Sequence, residues 1–282
     1  MQGLAWALGH GGERCESVTI SASEHRAQLL GVEFDDLSAQ ELIARIGAVV
    51  EGRSRMIVAN VNAHAMNLAF DQPWLRDFFN RCELVYCDGF GVKWGAALLS
   101  QTIANRASLG DWFDLLAASA AARGYSCFFL GGREGVAEEA SRRLTEKHPG
   151  LQVLGCEDGY FDKATSSEAN QAIIERINDL RPDILVVAMG MPIQERWLLE
   201  NWDGIDARVA MTSGTVLDYV AGVKVRPPRY LTDHGLEWAG RLLVEPGRLW
   251  RRYLVGNPVF FWRVLCQRWG FVKFDARAGP KR

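Results

Sequence analysis

No Asp-x-Asp triplet occurs in the 282 residues of the chain. The carboxylate pair that commonly holds a divalent ion on a diphosphate is therefore missing, and arginine and lysine are left to supply any countercharge to phosphate. No Gly-x-Gly-x-x-Gly occurs either, which counts against a Rossmann enzyme of the NAD- or S-adenosylmethionine-binding kind. The cysteines, Cys15, Cys82, Cys87, Cys127, Cys156 and Cys266, form no Cys-x-x-Cys pair and do not cluster with the five histidines. That argues against a zinc site. The opening MQGLAWALGHGGERCESV lacks the basic start and apolar core of a secretory signal, so the expectation is free thiols in a reducing cytoplasm. The most apolar late stretch, PVFFWRVLCQRWGFVKF, is broken by Arg263, Arg268 and Lys273, short of the ~20 apolar residues that a spanning helix needs.

What is present is a chain 48% hydrophobic, enough to bury a full core, with an uneven charge. Residues 223–282 hold 13 Lys/Arg against 4 Asp/Glu, a net of +9, while the first 222 carry −11 of the overall −2. A basic tail on an acidic body calls for an anionic partner: a phosphorylated ligand, an anionic membrane surface or nucleic acid. Nucleic acid is the weakest of the three, because the body is acidic and the tail has no recognisable reading motif.

Strand-sized apolar runs at 55–60, 83–87, 125–132, 151–155, 183–190 and 207–214 alternate with helix-length segments such as Gly110–Arg123, Glu134–His148 and Ser166–Leu180. Nearly continuous apolar strands alternating with helices predict an α/β fold, a Rossmann-like parallel sheet with helices on both faces. Residues before about 50 read as a polar lead-in with a helix at Ser38–Val50. After Gly222 the alternation stops at Pro227-Pro228. The division is a catalytic domain over 1–222 and a basic, aromatic-rich helical appendage over 223–282.

In such sheets ligands sit beyond the carboxyl ends of the strands, and the polar candidates lie there. Asp88 follows a strand and precedes Gly89-Phe90-Gly91; it suits either a helix N-cap or a general base. Gly131-Gly132, between a strand and a helix start, suits a phosphate cradle or a tight turn. Gln194-Glu195, after Gly190-Met191-Pro192, offers an amide that reads sugar hydroxyls or a uracil edge, or else simply opens a helix. Asp218, after Ser213-Gly214-Thr215, is a ligand contact or a satisfied helix residue. Arg241, Arg248 and Arg252 fall within ~40° on an ideal helix, although Pro246-Gly247 interrupts it.

In order along the chain, VANVNAHAMNLA, ELVYCDGFGV, FLGGREGVA, RPDILVVAMGMPIQERW, SGTVLDYVAGVKVRPPRY and LEWAGRLLVEPGRLWRRY resemble the WecG/TagA/CpsF family of glycosyltransferases. The resemblance implies an inverting, metal-independent enzyme without a cofactor. It moves a sugar from a UDP donor to a monosaccharide on undecaprenyl diphosphate, in the synthesis of cell-envelope or exopolysaccharide. It implies Asp88 as base, and Asn62, Arg106, Gln194 and Asp218 as substrate-pocket residues. Arg241, Arg248 and Arg251 are implied as tail arginines that close over the diphosphate. Asn60 stands where the family often has Thr, and Arg226-Pro227-Pro228 where it has Arg-Ala-Pro. The implied location is the cytoplasmic face of the inner membrane, held peripherally through tail basics and the aromatics Phe260, Phe261, Trp262, Trp269 and Phe271. A homo-oligomer stays open. The rival reading is a non-catalytic nucleotide- or lipid-binding scaffold of polysaccharide assembly.

Overall fold

The computed structural model describes residues 26–274. The N-terminal lead-in through residue 25, with Cys15, and tail residues 275–282 lie outside the described residues. The chain runs β1 (Arg26–Leu29), β2 (Val32–Asp35), α1 (Ala39–Glu51), β3 (Met56–Val61), α2 (Ala63–Asp71), α3 (Pro73–Arg81), β4 (Leu84–Cys87), α4 (Phe90–Leu98) and α5 (Leu109–Arg123). It continues through β5 (Ser126–Gly131), α6 (Val136–Lys147), β6 (Gln152–Glu157), α7 (Glu168–Leu180), β7 (Ile184–Ala188), α8 (Ile193–Asn201), β8 (Val209–Thr212) and α9 (Val216–Val220). The appendage adds α10 (Arg229–Asp233), α11 (Glu237–Val244), α12 (Pro246–Trp250), a π-helical turn (Arg251–Val255) and α13 (Gly256–Arg268).

The eight strands lie in the order β1-β2-β4-β3-β8-β7-β5-β6, parallel throughout except for the antiparallel β1–β2 hairpin. Alternation of side chains explains why the runs look continuously apolar. In β3, Ile57, Ala59 and Val61 enter the core on one face while Met56 and Val58 enter the other; Phe128 and Phe129 of β5 divide the same way. The predicted helix at Ser38–Val50 is α1, with Ser38 as its N-cap. Glu41 N–H donates to Ser38 Oγ at 3.3 Å and Ser38 N–H donates to Glu41 Oε2 at 2.7 Å, a reciprocal capping box.

The first strands correct the reading of residues before 50 as a polar lead-in. Residues 26–35 form a hairpin whose Leu29, Val32 and Phe34 are core, turning through Leu30 and Gly31 at positive φ. Polar Arg26, Gln28, Glu33 and Asp35 interleave with the apolar residues of these strands, so no continuous apolar run marks them.

Asn60 at the end of β3, Asp88 after β4, Gly190 after β7 and Ser213 after β8 meet at the carboxyl edge. Chain order reverses there, with successive strands leaving β3 in opposite directions. That is the topological switch point at which open α/β sheets bind ligands. The appendage covers this edge and then returns to the body. Phe260 and Val264 of α13 are fully buried in the main core, Gln267 Oε1 accepts from Leu30 N–H at 2.9 Å, and Arg263 pairs with Asp71 at 2.6 Å.

Candidate active site

The two local readings of Asp88 are separated by its hydrogen bonds. The N-cap of α4 is Gly89, whose φ of +146° few side-chain-bearing residues adopt, and no side chain caps that helix. The Asp88 carboxylate turns instead into the cleft, where Oδ2 accepts from Asn60 Nδ2 at 2.9 Å. Asn60 is itself held: its Oδ1 accepts from Thr212 Oγ1 at 3.0 Å. A chain from β8 through β3 thus orients the carboxylate. Burial pushes Asp88 above its ordinary range, opposed by the Asn60 hydrogen bond and by the charges of Arg106, Arg241 and Arg226.

Two cavities meet at Asp88. The larger, about 430 Å³, is mostly apolar, with Phe90, Trp94, Trp238, Tyr253, Leu254 and Phe261 among its walls. The smaller, about 150 Å³, is polar, with Ser108, Ser213, Thr215, Arg226 and Arg248 around the glycines Gly190 and Gly214. Asn62, Asp88, Glu237, Arg241 and Arg252 line both. Asn62 also caps α2, accepting from His64 and Ala65 N–H groups at 3.1 Å.

The arginines divide by partner. Arg226 donates to Asp111 at 2.7 Å and to Ser108 Oγ at 3.2 Å. Arg106 lies 3.7 Å from Asp111 and stacks 4.8 Å from the Phe90 ring centroid. Arg248 pairs with Glu245. Among the described residues, Arg241 and Arg252 form no ion pair with a carboxylate, and the buried Nε of Arg252 has no hydrogen-bond partner. Burial lowers the pKa of Arg252 below its ordinary value. Two largely enclosed cations beside a polar cavity have the chemistry to meet an anion. His64, on the apolar cavity, is held down to about 4 by burial and then by Arg252, so it is neutral there.

Several residues singled out in the sequence work elsewhere. Arg251 is exposed, its guanidinium 5.2 Å from the Trp250 ring; Arg252, which ideal-helix spacing groups with Arg241 and Arg248, lines the cleft in its place. Asp218 pairs with Lys224 at 3.0 Å and lines neither cavity. Gly131 and Gly132 also line neither cavity. A Cβ on Gly131, at φ +144°, would stand 2.3 Å from the Ala188 carbonyl oxygen, so the glycine serves close approach of β5 to β7. Gln194 and Glu195 are both fully buried. Gln194 Oε1 accepts from Gly190 N–H at 3.3 Å and Gly214 N–H at 3.0 Å, and its Nε2 donates to Glu195 Oε1 at 2.8 Å. It ties together the two loops that wall the polar cavity rather than touching what enters it. Phe260 is core and Phe261 lines the apolar cavity, so neither faces outward as their aromatic character led one to expect. Glu237, His64, Trp238 and Tyr253 are cleft residues that local motif reading passed over; Glu237-Trp238 stood in view only as part of the LEWAGRL stretch.

Glu195 gives a test of this packing. Burial raises its carboxyl to about 7, and Oε2 has no partner. Because the folded state holds this proton more tightly than the unfolded chain, its contribution is complete below the unfolded pKa and is lost as pH rises through 7. Between pH 6 and 8 the protein should lose ~1 kcal/mol of stability that Glu195→Gln does not lose, measured by denaturant unfolding of both at each pH.

Among the described residues no three His, Cys, Asp or Glu side chains are grouped to hold a metal ion, and no helix is long and apolar enough to cross a membrane. In comparisons with known proteins, the glycosyl transferase WecG/TagA/CpsF family matches residues 27–273. The chain is 25% identical over 241 residues to an N-acetylglucosaminyldiphosphoundecaprenol N-acetyl-beta-D-mannosaminyltransferase of Staphylococcus aureus strain MRSA252, covering 85% of this chain and 92% of the relative. The protein of the same name from strain NCTC 8325 / PS 47 matches at the same identity and coverage. With the match running from the first strand through most of the appendage, the chain belongs to the WecG/TagA/CpsF family of glycosyltransferases.

Proposed function

We propose that this enzyme transfers a sugar, with inversion and without a metal ion, from a UDP-sugar to a monosaccharide carried on undecaprenyl diphosphate, for a cell-envelope polysaccharide. The observation that carries the reading is the position of Asp88, a half-buried and oriented carboxylate where a polar, arginine-lined cavity opens into an apolar one. The donor diphosphate suits the polar side, where Arg226, Arg241, Arg248 and Arg252 offer charge-assisted hydrogen bonds. The acceptor sugar suits the apolar side, which leads to the exposed Leu254.

In the reaction, the acceptor hydroxyl oxygen forms a bond to the anomeric carbon as the bond from that carbon to the UDP oxygen breaks on the opposite face. The hydroxyl proton passes to Asp88, acting as general base. Charge that grows on the leaving diphosphate is met by fixed guanidinium groups in a water-poor site. UDP departs as an anion, so one carboxylate base is enough.

The acceptor's lipid is embedded in a membrane, and the appendage has the surface to meet one. Leu243, Val244, Leu254, Val255, Trp262, Trp269 and Phe271 are exposed on it, among basic side chains. Exposed apolar groups with flanking Lys/Arg, each worth ~1 kcal/mol at an anionic surface, support peripheral docking on the cytoplasmic face of the inner membrane.

The test is UDP release by the purified chain with a short-chain polyprenyl-diphosphate N-acetylglucosamine and a panel of UDP-N-acetylmannosamine, its uronic acid and UDP-glucose. Release should survive excess EDTA, since arginines stand where an Asp-x-Asp metal site is missing from the sequence. Loss that Mg²⁺ or Mn²⁺ restores would contradict the metal-free mechanism.

A further inference from the structure

Glu237 is a carboxylate in a cleft otherwise equipped for anions. It is the first residue of α11, lines both cavities, and forms no hydrogen bond or ion pair among the described residues. The charges nearest it are those of Asp88, Arg226, Arg241 and Arg106; burial, and then Asp88, hold its carboxyl above the ordinary range. A half-buried carboxyl without hydrogen bonds is costly, and beside phosphate oxygens it adds repulsion. A diphosphate cannot be its partner.

A sugar can. A pyranose offers hydroxyl donors on its edge and apolar C–H groups on its face. The larger cavity offers the complement of each: the Glu237 carboxylate, and beside it the rings of Trp238, Tyr253, Phe90 and Trp94. Trp238 is set by its contact with Tyr253, ring centroids 6.2 Å apart, and Trp94 by its contact with Phe90 at 5.7 Å. At about 430 Å³ the cavity falls in the usual size range of small-molecule sites.

Resting on the transfer reading above, we propose that Glu237 is a specificity-determining residue for the acceptor: its carboxylate accepts a hydrogen bond from an acceptor-sugar hydroxyl other than the attacking one, while Trp238 supplies an apolar face to the ring. The attacking hydroxyl still gives its proton to Asp88. Base and reader then come from different parts of the chain, Asp88 from the sheet and Glu237 from the appendage, so acceptor choice depends on the appendage being in place.

The test is steady-state kinetics of Glu237→Ala and Glu237→Gln with the best donor of the UDP-sugar panel. The acceptors are short-chain polyprenyl-diphosphate N-acetylglucosamine and its monodeoxy analogues, one for each free hydroxyl other than the attacking one. Glu237→Ala should lower kcat/KM for the intact acceptor by about 10- to 100-fold, the weight of a hydrogen bond to a charged group, with the donor KM unchanged. On the one analogue that lacks the hydroxyl being read, the substitution should cost nothing further, and Glu237→Gln should recover part of the loss on the intact acceptor. An equal loss on every acceptor, or a loss that appears in the donor KM, overturns the assignment while transfer itself stands. Absence of transfer by the unsubstituted protein overturns the transfer reading, and this assignment with it.

Discussion

Asp88→Asn should lower turnover by at least ~10²-fold, the low end for a lost general base, without unfolding the protein. The two halves of that expectation have separate causes. Asparagine keeps an oxygen that can accept from Asn60 Nδ2, so the link from Thr212 through Asn60 survives and the thermal midpoint should not fall. It also removes a carboxylate whose ionisation burial disfavours, which does not destabilise the fold. What disappears is the proton acceptor. The pH profile follows with a definite sign. Activity needs Asp88 ionised, and its folded pKa lies above the ordinary carboxylate value, so kcat/KM should fall on the acid side at a higher pH than for an exposed aspartate. Near-unchanged turnover in Asp88→Asn would remove Asp88 from the chemistry.

Arg241→Ala should lose turnover by ~10²- to 10³-fold, the scale on which a single preorganised donor to a developing anion acts. Arg241 lines both cavities, is largely enclosed, and has no carboxylate ion pair among the described residues. Burial alone disfavours its charge, but Tyr253, Tyr219, Glu237 and Asp88 more than offset that, so the cleft already supports the guanidinium. The expected signature is a large loss of turnover with a melting temperature that changes little. Arg241→Lys should restore only part of the rate, because an ammonium does not reproduce the bidentate guanidinium contact with phosphate. Sedimentation with anionic liposomes should be unaffected, since the exposed apolar residues of the appendage remain. A fall in both turnover and melting temperature would mean that Arg241 holds the structure rather than the substrate.

Deletion of the whole tail is a poorer experiment than these point changes. Residues 223–282 looked separable from composition, yet Phe260 and Val264 of α13 are part of the main core and Gln267 satisfies a backbone N–H in the β1–β2 turn. Truncation removes core packing together with the cleft, and the two effects cannot be read apart.

The parallel sheet was legible because strands buried on both faces leave uninterrupted apolar runs, as β3, β4, β5, β7 and β8 do, while the edge strand β6 shows only as the short LQVLG run. The hairpin of residues 26–35 was not, since polar residues interrupt both of its strands and leave no continuous apolar run. At the site, local sequence put polar residues at strand ends but could not tell outward from inward. Asp88 and Gln194 follow strand ends alike, and only packing sends one carboxylate into the cleft and buries the other side chain between two loops. The tail shows the opposite case: the ideal 3.6-residue repeat groups Arg252 with Arg241 and Arg248, and Arg252 is the one that lines the cleft, whereas Arg251, which the resemblance implied, is exposed. Glu237 escaped because a lone acid at a helix start reads as an ordinary favourable dipole contact until the cavity around it is seen.

The most direct measurement on the central claim is the mass and anomeric configuration of the product formed by the purified protein, with Asp88→Asn run in parallel. The acceptor is short-chain polyprenyl-diphosphate N-acetylglucosamine and the donors are the UDP-sugar panel. The account predicts an acceptor heavier by one glycosyl residue, a new linkage of configuration opposite to that of the donor, one UDP released per product, and little product from Asp88→Asn. UDP binding without a product of added mass would contradict it, as would a product that retains the donor's configuration.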